Sequence, residues 1–299
     1  MYVFGLISKK GGVGKTTLAA NLGAILADFG ARVLLIDADP QASLSKYYPL
    51  RNEATGGMIE MIHDGNLNES MVSTIVFPNM SIVLWNDKTR EIQNTLPKMI
   101  DAPARIKMAI NNDYVDNNFD IVIIDTQGAE GTIQDSAAFA CDMMLSPISP
   151  DILSSREFED GTQALLSRLD SGRPLGLIHG QIKALIYKMD QTRDAKAIAA
   201  EVNQAYFKFN GKVEMLKTVI RSAVAYKEAA TERIPAHCRE ITTQNKSDSA
   251  YIAMHHLAWE LFPNFHGAYV NCFGQLSESD ISSIVDSDTQ TESSKTEND

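Results

Sequence analysis

The residues best suited to chemistry in this 299-residue chain form one run near its start, Gly11-Gly12-Val13-Gly14-Lys15-Thr16-Thr17. The run lies between an apolar stretch, Tyr2–Ser8, and a helical pattern that begins at Lys15. A glycine loop in that position can wrap phosphates with backbone N–H groups, and the helix N-terminus adds positive potential. Lys15 would neutralise β- and γ-phosphates, and the Thr16 hydroxyl would coordinate Mg²⁺. The strict pattern G-x-x-x-x-G-K-[ST] is not met, because Lys9 stands where its first glycine would be. The run instead has the deviant form K-G-G-x-G-K-[ST], with a second lysine, Lys10, five residues before Lys15. A glycine-rich turn with solvated lysines would account for the composition. It would not account for strand, loop, Lys-Thr pair and helix coinciding in that order.

Two carboxylate elements stand where such a site needs them. Val33–Ile36 runs into Asp37-Ala38-Asp39-Pro40-Gln41, and Ile121–Ile124 runs into Asp125-Thr126-Gln127-Gly128. Each places acids at the carboxyl end of an apolar strand, the rim where ligands bind in open α/β sheets. Asp125 is suited to hold Mg²⁺ through a water, with Asp37 as a further metal-side candidate. Gly128 allows a backbone turn that responds to a γ-phosphate. A single Asp after an apolar strand is more often a cap or turn residue; the ordered set carries the signal.

The elements that must position these residues alternate in kind. Tyr2–Ser8, Arg32–Asp37, Ser81–Trp85, Ile121–Asp125, Met143–Ile148, Ile182–Met189 and Val213–Ile220 read as strands. Lys15–Phe29, Pro103–Asn112, Leu153–Leu169, Ala195–Phe207 and Ser249–Phe262 read as helices, the first ending at Gly30. The unbroken apolar runs Val33–Ile36 and Ile121–Ile124 point to strands covered on both faces. The expected fold is a doubly wound, mostly parallel sheet with helices on both faces, in one domain over residues 1–276. Residues 277–299, rich in Ser, Thr, Asp and Glu, cannot offset their ordering entropy by burial and read as a disordered acidic tail. The three cysteines, Cys141, Cys238 and Cys272, are scattered and odd in number, and reduced structural thiols are expected. No apolar run approaches a bilayer span and no signal peptide is evident, so a cytoplasmic chain is expected.

The formal charge of −11 is unevenly spread. Residues 1–180 carry −8, whereas 181–246 carry +5 and 277–299 carry −6. The positive segment includes Lys183, Lys188, Arg193, Lys196, Lys208, Lys212, Lys217, Arg221, Lys227, Arg233, Arg239 and Lys246, enough cations to grip a phosphate backbone nonspecifically. A solvated lysine-rich surface is the plainer explanation.

The glycine loop, the D-x-D-P-Q element and the strand ending at Asp125 resemble the ParA/MinD family of deviant Walker ATPases. The resemblance covers roughly residues 1–262, closely through Gln41, clearly again at Ile121–Gly128 and more loosely at Thr218–Ala230. It implies ATP and Mg²⁺ as cofactors and slow, partner-stimulated hydrolysis. It also implies an ATP-dependent sandwich homodimer in which Lys10 reaches the other subunit's phosphates. Asp39 would help position the attacking water. Lys10 to Thr17 are the cofactor-binding candidates, completed by Met189 and Asp190 at the end of the strand Ile182–Met189. The segment Val219–Ala229 resembles the C-terminal motif of partition ATPases, but lacks a proline after Ile220 and has Ala225 where some relatives carry a DNA-contacting arginine. DNA-facing candidates are Lys188, Arg193, Lys217, Arg221 and Lys227.

Within that family the acidic tail disfavours a membrane-oscillating branch, which needs a basic amphipathic C-terminal helix. The cysteines lack a cluster-ligand motif, the tail has no tyrosines to serve as kinase sites, and the glycine loop is not duplicated. No helix-turn-helix precedes the loop, so operator-specific repression is not expected. The expectation is a nucleoid-associated partition ATPase that binds DNA nonspecifically and moves a plasmid or chromosome through a ParB-like centromere-binding protein. The alternative is an ATP-switched adaptor that positions a protein cargo or assists a DNA-transfer complex.

Overall fold

The computed structural model describes residues 1–150, 152–190, 197, 199–200, 209, 211–239, 249–270 and 272–273. In chain order its elements begin with β1 (Tyr2–Leu6), α1 (Lys15–Asp28), β2 (Val33–Ala38), β3 (Leu50–Asn52), α2 (Met58–Asp64), β4 (Ser73–Ile75) and β5 (Met80–Val83). The short helices α3 (Glu91–Thr95), α4 (Arg105–Ile110) and α5 (Asp113–Asn118) lead to β6 (Ile121–Thr126), α6 (Thr132–Ala140), β7 (Met143–Ile148) and α7 (Ile152–Ser171). Then follow β8 (Gln181–Met189), β9 (Val213–Arg221), α8 (Ala225–Thr231), α9 (Ala236–Arg239) and α10 (Ala250–Leu261). The strands form one sheet in the order β3-β4-β5-β2-β6-β1-β7-β8-β9. All neighbours are parallel except β3 with β4 and β4 with β5.

The apolar central strands are covered on both sides, as their unbroken hydrophobicity requires. In β2, Val33 and Leu35 pack into one core while Leu34 and Ile36 pack into the other; in β6, Ile121 and Ile123 divide from Val122 and Ile124 in the same way. Successive strand side chains point to opposite faces, so a strand between two layers must be apolar at every position. The first core is roofed by α1, α8, α9 and α10, the second by the helices from α2 to α7. Helix α1 is rich in Ala and Leu, and its residues from Leu18 to Ala27 are buried. It stops where Gly30 takes φ +95, a left-handed turn that costs glycine little.

The expected parallel sheet and its seven strands are present, along with two three-residue antiparallel strands, β3 and β4, that the sequence pattern did not disclose. The helices at 15, 153 and 249 are present within a residue or two; the one expected over Pro103–Asn112 is shortened to α4. Most of Ala195–Phe207 and all of the expected tail, 277–299, lie outside the described residues, as do Arg193, Lys196, Lys208 and Lys246.

The β8–β9 ladder slips twice. Between the pairs Ala184↔Met215 and Ile186↔Val219, β9 carries two more residues than β8. The amides of Lys217 and Thr218 in that bulge donate to the two carboxylate oxygens of Glu260 on α10, at 2.6 and 2.8 Å. The second slip, between Tyr187↔Ile220 and Met189↔Arg221, leaves Lys188 outside the ladder.

The expectation of three reduced thiols is corrected: Cys238 and Cys272 form a disulfide, and only buried Cys141 is free. After α10 the chain turns back along that helix, held by Trp259 Nε1 donating to the Ala268 carbonyl and by Tyr251 Oη donating to that of Val270. Phe273 then stacks on Phe77 and its amide donates to Asp28 at 2.7 Å, which carries Cys272 to α9. The two cysteines are 34 residues apart, so only this reversal of the chain reveals the pair.

Candidate phosphate site

The glycine loop connects the end of β1 to α1, and the ladder register sets the acids around it. Leu6 pairs with Asp125, and Asp125 pairs with Asp37. Two carboxylates therefore lie on neighbouring strands, both fully buried, immediately beside the loop. Burial pushes Asp125 up to about 7 and Asp37 up to about 6, because an ionised carboxyl loses its water there. In Asp37, hydrogen bonds from Ser45 and the Asp39 amide oppose the rise.

The two acids have different work. Asp37 is fully engaged: one oxygen accepts from the Asp39 amide at 3.1 Å, the other from the amide and hydroxyl of Ser45, both at 2.7 Å. It thus ties down the turn that carries Asp39. Asp125 accepts from the Thr16 hydroxyl at 2.6 Å through Oδ2, while its buried Oδ1 has no partner among the described residues. A buried oxygen without a donor is costly unless a ligand supplies one. Thr16 and Asp125 therefore fit a Mg²⁺ held by the hydroxyl directly and by the carboxylate through water. Among the described residues no group of three His, Cys, Asp or Glu side chains is arranged to hold a metal unaided.

Lys15 is nearly buried and points back along the loop, its Nζ 3.2 Å from the Lys10 carbonyl. Desolvation lowers its pKa, while Asp125 and then Asp39 oppose that shift. A cleft of about 660 Å³ opens above it, lined by residues that include Gly11, Gly12, Gly14, Lys15, Thr16, Thr17 and Asp39. Gln41, Ser43, Tyr47, Gln127, Gly128, Ala129 and Lys188 complete the wall. This volume lies within the range of small-molecule sites.

Close packing explains two of the glycines. Gly14 has φ +94, and a Cβ there would sit 2.0 Å from the Tyr187 ring, which lies beneath the loop. A Cβ on Gly128 would be 2.8 Å from the Gly11 amide nitrogen. The segment after β6 can therefore lie directly against the loop. Gln134 of α6 bridges the same two segments at 3.4 Å to each of the Ser8 and Gln127 carbonyls. Outside the cleft, Lys9 pairs with Glu130 at 3.2 Å, Glu130 with Arg168 at 3.3 Å, and Arg168 with Asp135 at 3.2 Å. The Lys9–Glu130 pair, the exposed one of these, is worth only about 0–1 kcal/mol.

Several expected site residues fall elsewhere. Lys10 faces the adjoining cavity, together with Lys9, Glu130 and Gln134, and does not line the phosphate cleft. Val13 is turned inward toward that cavity as well. Met189 ends β8 and Asp190 follows it, neither lining the cleft, whereas their neighbour Lys188, expected to face DNA, does line it. Lys217 and Arg221 belong to β9, and Lys227 to the first turn of α8. Within the basic segment Lys183 is paired with Glu214, Lys212 with Asp170, and Arg239 with Glu228 and Glu232.

Sequence reasoning did not single out Asn21, Ser45 or Tyr47. Asn21 is fully buried in α1, with its Nδ2 donating to the Thr17 carbonyl and to Tyr47 Oη and its Oδ1 accepting from the Ala236 amide at 2.6 Å. An amide at i+4 from Thr17 in an otherwise apolar helix was the available signal.

A mostly parallel sheet, a glycine loop leading into α1, a Thr16–Asp125 pair and a buried lysine define a P-loop nucleotide site of the deviant kind. A family model described as AAA domain matches residues 1–171. The chain belongs to that family, and within it to the ParA/MinD group of P-loop ATPases. It is 30% identical over 189 residues to a putative replication protein A of Rhizobium rhizogenes, covering 57% of this chain and 46% of that protein. It is 29% identical over 148 residues to the sporulation initiation inhibitor protein Soj of Bacillus subtilis, covering 49% of this chain and 57% of Soj. The matched segment thus spans about half the length of each of these relatives. A solved ATP complex of a Cyanothece McdA variant shares the fold with a TM-score of 0.68 at 21% identity, covering 86% of this chain and 96% of that one. Among the described residues no helix is long and apolar enough to cross a membrane.

Proposed function

We propose that this chain binds ATP with Mg²⁺ and hydrolyses it slowly. The ATP-bound dimer binds DNA of arbitrary sequence and drives segregation of a plasmid or chromosome with a centromere-binding, ParB-like partner. The observation that carries the reading is the joint placement of Lys15, the Thr16–Asp125 pair and Asp39 around one cleft. Phosphoryl transfer demands little more of a protein than positioning and charge neutralisation. Thr16 and Asp125 would hold the ion, Lys15 would neutralise the β- and γ-phosphates, and Asp39 would orient water. Lys10, on the adjoining cavity, would act on the nucleotide of a second copy across a sandwich dimer. Such a protein works in the cytoplasm on the nucleoid.

Lys217, Arg221 and Lys227 are the described cations proposed to face DNA, with Arg193 joining them from outside the described residues. A gel-shift assay at low salt tests this with nonspecific duplex DNA, in the presence of ATP, ADP or no nucleotide. The expected result is binding with ATP alone, lost steeply as salt rises. The pairing of Lys183, Lys212 and Arg239 with acids favours a second reading, an ATP-switched adaptor that positions a protein cargo. Absence of ATP-dependent shift at low salt selects the adaptor.

A further inference from the structure

Lys188 occupies a position that the sequence reading gave to DNA and the structure gives to the nucleotide cleft. Three observations converge on it. The β8–β9 ladder slips at this residue, which removes it from the strand pairing; bulges of this kind often re-aim a side chain beside a site. Its backbone has φ +59, a left-handed conformation that is unfavourable for lysine and is otherwise taken on this cleft wall by Gly12 and Gly14. Its ammonium lies over the Tyr187 ring, 5.6 Å from the centroid, and 3.4 Å from the Gly12 carbonyl. Strain is tolerated at a residue when it aims something useful, and here it aims a cation across the glycine loop.

The flanking contacts say which part of a nucleotide it meets. Thr16 faces Asp125, which marks the metal end of the cleft. Its neighbour Thr17 faces Tyr187, to which it is hydrogen-bonded. Lys188, next to Tyr187, therefore stands on the side away from Asp125. A triphosphate whose β- and γ-phosphates share the metal near Thr16 presents its α-phosphate on that opposite side. We propose that Lys188 is a nucleotide-binding residue whose ammonium exchanges the Gly12 carbonyl for the α-phosphate. Because ATP and ADP both carry that group, Lys188 serves both equally, whereas the γ-phosphate contacts belong to the other end of the cleft. The inference rests on the reading of the cleft as an ATP site.

Titration calorimetry with ATP and with ADP, each in the presence of Mg²⁺, tests it on the full chain and on Lys188→Ala, Lys188→Asn and Lys188→Arg. Loss of one charge-assisted hydrogen bond is expected to raise both dissociation constants about tenfold in the Ala and Asn variants. The Arg variant should stay within about threefold, since a guanidinium can also meet a phosphate. Asn accepts the left-handed backbone, so a loss seen in Lys188→Ala but not in Lys188→Asn would be a backbone effect and would overturn the proposal. Unchanged affinity for both nucleotides would also overturn it, as would a loss confined to ATP, which would move the ammonium to the γ-phosphate. If the unaltered chain binds neither nucleotide, the ATP reading falls and the role of Lys188 with it. Tight binding by the unaltered chain with unchanged variants refutes the role of Lys188 alone.

Discussion

Asp125→Asn should make the nucleotide-free protein more stable while abolishing its response to Mg-ATP. The carboxyl is fully buried and its pKa is raised from 3.8 to about 7. At 1.36 kcal/mol per unit, ionising it inside the fold costs about 4 kcal/mol more than in the unfolded chain, an upper bound for so buried a group. An amide has nearly the same shape and no charge, but it places an NH₂ or carbonyl where Oδ1 now lacks a partner, at a cost of about 1–3 kcal/mol. The net gain is therefore about 1–3 kcal/mol at pH 8, or roughly 2–5 °C in melting temperature for a chain of this size.

The pH dependence has a definite sign. Between about pH 4 and pH 7 the native protein binds more protons at Asp125 than the unfolded chain does, so its stability falls as pH rises through that window. Asp37 adds a similar fall that is complete by about pH 6, and the variant keeps it. By the same sum Asp125→Asn should be less stable than the unaltered protein by about 1–3 kcal/mol near pH 4, gain on it up to about pH 7 and keep a constant advantage above. Differential scanning calorimetry at pH 4, 6 and 8, without nucleotide and then with Mg-ATP, measures all of this. A variant that melts below the unaltered protein at pH 8 without nucleotide, or a difference that ignores pH, would refute the reasoning.

Gly14→Ala should cost about 2–5 kcal/mol, from a left-handed alanine and a Cβ overlapping the Tyr187 ring, and adding Tyr187→Leu should recover only the packing part in a denaturation double-mutant cycle. Lys10→Ala should leave monomer affinity for ATP within about threefold, or about 0.7 kcal/mol, while abolishing ATP-dependent dimerisation in analytical ultracentrifugation; normal dimers would remove its role in trans. Removing residues 277–299, with their charge of −6, should tighten DNA binding at low salt and change it little at high salt, and equal gel-shift affinity at low salt would leave the segment a solubilising one.

What the sequence disclosed depends on how local each signal was. The loop and the acids of β2 and β6 were legible because a chemical motif and a run of buried apolar residues coincide within a few positions. Parallel pairing then brings Asp37 and Asp125 together without further information. β3 and β4 were not legible, since three residues such as Leu50-Arg51-Asn52 are too few to show an alternation. The place of Lys188 on the cleft wall was not legible, because it follows from one slipped residue in the ladder and periodicity carries no sign of a slip. Ser45 and Asn21 went unnoticed for a related reason: their partners, Asp37, Tyr47 and Ala236, become neighbours only when helix, strand and C-terminal segment pack together. The cysteine pair depends on the same long-range closure.

The bulge in β9 has a consequence for how the molecule behaves among its own copies. β9 ends the sheet, and a last strand with a straight row of free amides is a template on which another chain can add. Here the strand bends at 216–218, and the two amides released by the bend are taken by the carboxylate of Glu260. The irregularity shortens any straight stretch available for pairing, and the carboxylate sets a negative charge beside it. Copies of the chain held close together thereby meet a sheet margin that resists edge-to-edge pairing.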